Sequence, residues 1–285
     1  MQPPLPCPTV TWHNDTYPSI SPSRPEQNVN GKTIVVVGAG SGIGGETALT
    51  FATAGTARIA LLGRTETSLQ ETASLVPRSS VHVADLTNAK SLIDAAAAVG
   101  KWHLLILSSG YCPDRAPVVL SEVEDWWKGF ETNVKGTLLA AKTFIPTADA
   151  DATVIGVASD TSLVSADHTP GLSGYASSKL AQVKIYEFLA AENPNLFVAT
   201  VNPGMVETDN FHRAGGRSDK LPMNKGGFLR IISLGAARCA NVHYTTSVQF
   251  NYLHTLWCGW PALKLNSYEL AQFGQIGMSV NLRPK

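Results

Sequence analysis

The chain has 285 residues, of which 44% are hydrophobic and 15% charged, enough apolar content for a sizeable core in one large domain or two small ones. Lysine plus arginine equals aspartate plus glutamate at 22 each, so no net field recruits nucleic acid or an anionic membrane. The cysteines, Cys7, Cys112, Cys239 and Cys258, lack the spacing of a zinc site or a disulfide framework; no metal is expected, and a reducing compartment fits best.

Residues 1–30 are rich in Pro, Ser and Asn and read as an extended arm over a larger body. Met1 to Pro8 has no basic cluster before an apolar run, so a secretory signal is not expected, and Asn14-Asp15-Thr16 reads as a chance glycosylation tripeptide. No stretch approaches the length of a membrane span. The domain is expected over 31–285. It begins with a strand at Thr33 to Val37, a helix at Ile43 to Ala54, a strand at Ala57 to Leu62 and a helix at Thr67 to Val76. Further strands are expected at Val81 to Ala84, Leu104 to Ser108, Thr153 to Ala158 and Phe197 to Val201, each separated by enough chain for a crossover helix. Glu124 to Phe144 and Tyr175 to Ala191 are the longest helical patterns, with Pro146 and Pro194 beyond their ends. The expected fold class is α/β, a Rossmann-like doubly wound parallel sheet in a single domain. Residues 205–225 read as a long loop or short helices that can cover a substrate pocket, or as a disordered insertion, and a last strand is expected near Leu256-Trp257-Cys258-Gly259-Trp260.

Between the first strand and helix lies Gly38-Ala39-Gly40-Ser41-Gly42-Ile43-Gly44. Gly38 permits a tight turn, Gly42 admits backbone amides to a pyrophosphate, and Gly44 allows close helix-to-strand packing, with the helix N-terminus favouring the negative charge. After the second strand, Leu62-Gly63-Arg64-Thr65 offers no acid for the ribose hydroxyls of NAD. The Arg64 guanidinium suits a 2'-phosphate, so NADP(H) is expected over NAD(H). Asp85-Leu86 can hold an adenine edge, or Asp85 can simply cap a helix. Tyr175 and Lys179 are four residues apart on one helix face, where a lysine charge would favour the phenolate and fit Tyr175 for acid-base work.

These residues in this order resemble the short-chain dehydrogenase/reductase family from about Gly31 to Thr208, through the glycine turn, Asp85-Leu86, Asn133-Val134-Lys135-Gly136, the Tyr175–Lys179 pair and Asn202-Pro203-Gly204 with Thr208. The arm from Pro8 through Arg24-Pro25 is similar to an extension in filamentous-fungal members, many of secondary metabolism. The resemblance implies about seven parallel strands with helices on both faces. It makes Tyr175 the proton donor, Lys179 its electrostatic partner and ribose anchor, and Asn133 the support of a relay water, although Asn133 can also simply cap or kink a helix. It assigns Ser41, Ile43, Thr65, Ser109, Gly110, Pro203, Gly204, Val206 and Thr208 to the cofactor site. It also implies cytoplasmic localisation and a homodimer or homotetramer, with Trp126-Trp127 on a helix that packs subunits in the family or serves in the core. Val37 and Leu107-Ser108-Ser109-Gly110 depart from the family's polar residues, and cofactor binding is expected to survive this as a drier contact. For the catalytic serine, Ser162 has the thirteen-residue spacing to Tyr175, whereas Ser159 ends the apolar strand and is favoured.

The expected activity is NADPH-dependent reduction of a mainly apolar small carbonyl compound, or the reverse. Tyr111, Cys112, Leu163 to Leu172 and Met205 to Met223 would line the pocket. The rival is a dinucleotide-binding protein without redox turnover, serving as a sensor or as a scaffold for a cyclisation or isomerisation. His13, His168 and His212 have no partners at ligand spacing.

Overall fold

The computed structural model describes residues 21–22 and 29–219. Most of the arm, Cys7, Cys239, Cys258, the strand expected near Trp257 and the far part of the 205–225 segment lie outside the described residues.

Among the described residues, six parallel strands form one sheet: β1 (Thr33–Val37), β2 (Arg58–Gly63), β3 (Ser79–Val83), β4 (Trp102–Leu107), β5 (Ala148–Val157) and β6 (Phe197–Val201), in the order β3-β2-β1-β4-β5-β6. Helices α1 (Gly42–Thr53), α2 (Glu66–Leu75), α3 (Ala89–Val99), α4 (Val123–Phe130), α5 (Gly136–Phe144) and α6 (Ser173–Glu192) connect them, and a short helix α7 (Asp209–Arg213) follows β6.

Alternation along the strands builds two apolar layers, because successive side chains leave a strand on opposite faces. Ile34, Val36, Ile59, Leu61, Leu104 and Ile106 meet Ala48, Phe51 and Leu69 on the α1 and α2 side. Val35, Val37, Leu62, Leu105 and Leu107 meet Leu92, Ala96, Phe144 and Tyr186 on the side of α3, α5 and α6. The central strands are therefore apolar in continuous runs, as a sheet covered on both faces requires.

The order of strands reverses between β1 and β4, where the connections run to opposite faces. That switch point leaves a crevice at the carboxyl ends of the strands, the place where open α/β sheets bind ligands.

One expected helix is divided. Glu124 to Phe144 reads as continuous, but a π-helical turn at Glu131–Lys135 separates α4 from α5. Asn133 lies in this turn, fully buried, and its side chain leaves the helix to bond the chain beyond β4. A single wide turn of this kind lets one residue be aimed away from the regular helical spacing.

Candidate active site

The glycine turn closes on itself and on β4. A Cβ on Gly44 would lie 2.0 Å from the Gly38 carbonyl oxygen, and one on Gly38, whose φ is 90°, would lie 2.7 Å from the Ser109 amide nitrogen. Side chains larger than hydrogen are excluded at both positions. Ser41, the N-cap of α1, makes no side-chain capping bond, so no hydroxyl competes for the helix's first amides. This cradle of glycine backbone at a helix N-terminus fits a pyrophosphate. Ser108 and Ser109 both donate their amides to the Val37 carbonyl, at 2.9 and 3.1 Å, so the main chain braces this junction in place of the family's polar side chains.

Around the turn, Ile43 packs against the α1 side of the core, and Arg64 and Thr65 are exposed after β2. The Asp85 carboxylate accepts from the Thr87 amide and hydroxyl, both at 2.8 Å, and so braces its own turn; the cap of α3 is Asn88. Leu86 is buried against Gly136. On the far side, Asn202 accepts from the Gly204 amide at 3.1 Å, next to Pro203, and Val206 packs on the core. Thr208 caps α7 and brings its methyl group against Gly42, where an added Cβ would be 3.1 Å away.

Tyr175 and Lys179 stand on the first turns of α6. Gly174 precedes them because the Trp126 indole occupies the space of a side chain there, and Trp126 Nε1 donates to Ser173 Oγ at 3.1 Å. Trp126 thus serves packing between α4 and α6, while Trp127 is exposed. The Tyr175 phenol shares a hydrogen bond with Ser159 at the end of β5. Ser162 instead donates to the Ser159 carbonyl at 2.7 Å inside a 3-10 turn.

The electrostatics differ from the sequence expectation. Burial pushes the Tyr175 phenol up to about 12, the nearby Cys112 thiol adds to the rise, and the Ser159 hydrogen bond opposes it. The Lys179 ammonium does not offset this rise. It is buried, lies 5.8 Å from the Tyr175 ring centre, and donates to the Val157 carbonyl at 2.8 Å and to Gln182 Oε1 at 2.9 Å. Burial lowers Lys179 to about 8, against a smaller opposing effect of Cys112. Desolvation therefore outweighs the pair's mutual attraction, and Tyr175 holds its proton at neutral pH.

Asn133 binds both backbone groups of Tyr111, accepting from its amide at 2.8 Å and donating to its carbonyl at 2.9 Å, and its amide also reaches Ser178 Oγ at 2.9 Å. Gly110 is the meeting point: a Cβ there would lie about equally close to Asn133 Oδ1, Lys179 Nζ and Asn210 Nδ2, at 3.5, 3.5 and 3.6 Å. Sequence reasoning missed Asn210, Arg213, Asp125 and Gln182. Arg213 donates to the Cys112 carbonyl at 2.7 Å and to the Tyr111 hydroxyl at 2.9 Å, and pairs with Asp114 at 2.8 Å. Tyr111 in turn hydrogen-bonds Asp125. The Arg213 contacts join residues about a hundred positions apart and Tyr111 to Asp125 spans 14, and no local pattern announces them. Gln182 did carry a signal, since it lies three residues beyond Lys179 on the same helix face.

A sequence model of the short chain dehydrogenase family matches residues 32–217. The chain belongs to the short-chain dehydrogenase/reductase family, and is an NAD(P)-dependent oxidoreductase by that membership. It is 31% identical over 221 residues to the short chain dehydrogenases mpl6 of Monascus purpureus and citE of Monascus ruber, covering 70% of this chain and 74% of each relative. Among solved structures, it resembles a short chain dehydrogenase from Escherichia coli CFT073 complexed with NADPH. The TM-score is 0.67 at 23% identity, over 75% of this chain and 96% of that one. At that identity the likeness speaks to the fold.

Proposed function

We propose that this enzyme is an NADPH-dependent ketoreductase acting on a mainly apolar small carbonyl compound, with Ser159, Tyr175, Lys179 and Asn133 as its working group. The observation that carries the reading is the convergence of Tyr175, Ser159 and Lys179 at the switch-point crevice, with the Lys179 ammonium 5.8 Å from the Tyr175 ring centre. The phenol keeps its proton at neutral pH, as donation to a carbonyl oxygen requires, and the same group would act as the base in the reverse reaction.

A nicotinamide bound at this crevice supplies the hydride. Tyr175 donates its proton to the carbonyl oxygen as negative charge develops there, and Ser159 donates a hydrogen bond to the same oxygen. Lys179 would keep positive charge near the phenolate that this proton transfer leaves, and would anchor the ribose. Asn133 fixes the floor under Gly110 and Tyr111 and supports a proton relay. Gly38, Ser41, Gly42, Ile43 and Gly44 would hold the pyrophosphate, Arg64 and Thr65 the 2'-phosphate, Asp85 and Leu86 the adenine, and Ser109, Gly110, Pro203, Gly204, Val206 and Thr208 the nicotinamide half.

The apolar residues among Leu163 to Leu172 support a substrate with few charges, although Tyr111 and Cys112 are joined to Arg213 and Asp125. The narrower reading, a step in fungal secondary metabolism in the cytoplasm by a homodimer or homotetramer, is supported by the Monascus relatives, the scattered cysteines and the exposed Trp127 and Leu138.

A fluorescence titration with NADPH and then NADH tests the cofactor half. Tight NADPH binding that weakens at least tenfold for NADH, and in Arg64→Ala, is the expected result. Equal affinity for both nucleotides would overturn the role of Arg64, and binding of neither would favour a non-redox role.

A further inference from the structure

Lys179 brings an ammonium into a fully buried position, and an ammonium has three N–H donors to satisfy. Two are used by the Val157 carbonyl and Gln182 Oε1. Gln182 is itself only 1% exposed. A buried glutamine beside a buried lysine has two possible amide orientations, and only one presents oxygen to the charge.

The surroundings decide which. Thr137 Oγ1 donates its single proton to the Asn133 carbonyl at 2.7 Å, so toward Gln182 it can only accept. Gln182 Nε2 fills that role at 2.8 Å. The reversed amide would set its N–H groups against the ammonium and its oxygen against a hydroxyl with no proton left to give. The carbonyl of Asn133, through Thr137, therefore forces the negative end of the Gln182 amide onto Lys179.

We propose that Gln182 is a positioning residue for the Tyr175–Lys179 pair: it keeps the Lys179 ammonium charged and aimed, through an amide whose orientation Thr137 and the Asn133 carbonyl lock. The proposal rests on the redox reading of this site. Around Lys179 the titratable groups are the Tyr175 phenol on its own helix and the Cys112 thiol on the chain beyond β4; the Tyr186 phenol approaches Gln182 and Thr137. No carboxylate acts on Lys179 among the described residues. Two neutral carbonyl dipoles thus hold the charge against desolvation. Burial already lowers Lys179, so loss of one of these dipoles is expected to reduce the charged fraction at neutral pH.

The test is the titration midpoint of Lys179 in the cofactor-free protein, read by NMR from lysine labelled with carbon-13 at Cε and assigned by the signal lost in Lys179→Met. In Gln182→Leu the midpoint is expected to fall by about one unit or more, the effect of one hydrogen bond to a charged group. Thr137→Val leaves the lysine contact in place but frees the amide to turn, and the midpoint is expected to fall by less. Gln182→Glu is expected to raise it above wild type. Should Gln182→Leu fail to fold, the other two variants decide.

In the pH profile of NADPH-dependent ketone reduction, the alkaline limb is expected to move down with Gln182→Leu. An unmoved midpoint in folded Gln182→Leu, or in both Thr137→Val and Gln182→Glu, would overturn the proposal. Shifted midpoints in a protein that never consumes NADPH would instead retain the coupling and refute the redox reading.

Discussion

Asn133 and Asn210 grip the same stretch of backbone from opposite edges. Asn133 takes the amide and carbonyl of Tyr111; Asn210 donates to the Gly110 carbonyl at 3.0 Å and accepts from the Cys112 amide at 3.2 Å. Successive residues of extended chain present their polar groups to alternate sides, so two side-chain amides can act as strands would. The floor of the crevice is thereby joined to α4 and α5 on one side and to α7 on the other.

The two asparagines differ in what their loss exposes. Asn210→Ala removes two neutral hydrogen bonds near the surface and is expected to cost about 1–2 kcal/mol. Asn133→Ala leaves the Tyr111 backbone groups without this partner around a fully buried position, and is expected to cost about 3 kcal/mol. Thermal denaturation ranks the pair, and amide exchange at Cys112 is expected to quicken more in Asn210→Ala.

The two serine candidates separate by partner. Ser159→Ala is expected to lower turnover about a hundredfold or more, because it removes a donor at the carbonyl oxygen. Ser162→Ala is expected to keep most of it, since the Ser162 hydroxyl only braces its own turn. Steady-state kinetics on both variants check this, and the reverse ranking would transfer the role to Ser162.

Much of the fold was legible in the sequence because its signals are local. The runs Thr33 to Val37 and Phe197 to Val201 are β1 and β6 to the residue, and Gly38 to Gly44 forms the turn after β1 and the first residues of α1. The break at Glu131–Lys135 was legible only as one reading of Asn133, a helix kink; what fixes it is a contact from Asn133 to Tyr111, 22 residues away, which no local pattern shows. Likewise the spacing of Tyr175 and Lys179 places them on one face but cannot tell whether burial or attraction governs them. Desolvation prevails here because both groups are held in the interior, Lys179 by its bonds to Val157 and Gln182, and burial is the largest influence on each.

Glycine contacts give a contrast between neighbours. Gly44→Ala would set a Cβ 2.0 Å from a backbone oxygen that cannot withdraw, and is expected to destabilise by about 3 kcal/mol and abolish nucleotide binding. Gly45→Ala meets its nearest atom, the Ala39 carbonyl oxygen, at 3.4 Å inside the same helix, and is expected to be neutral or stabilising by up to about 1 kcal/mol. Denaturation midpoints and NADPH fluorescence on the two variants test the pair.

Asp160, next to Ser159, gives a pH signature. Burial raises its carboxyl from 3.8 to about 6. Between those values the unfolded chain has released the proton while the folded chain keeps it, so this group's stabilisation is complete below about pH 4 and is lost as pH rises through about 6. The shift of roughly 2 units corresponds to at most about 3 kcal/mol, reduced to about 1–2 kcal/mol by solvent at this partly exposed turn. Urea denaturation of wild type and Asp160→Asn at pH 4, 5, 6 and 7 is expected to show that extra decline in the wild type alone.

The central claim is that Tyr175 delivers the proton in an NADPH-dependent reduction. Consumption of NADPH by wild type and Tyr175→Phe, against a panel of apolar ketones with NADPH affinity measured alongside, tests it most directly. The account predicts turnover in wild type and its loss in Tyr175→Phe, by about a hundredfold or more at unchanged NADPH affinity, because only the acid is removed. Equal turnover in the two proteins would contradict it.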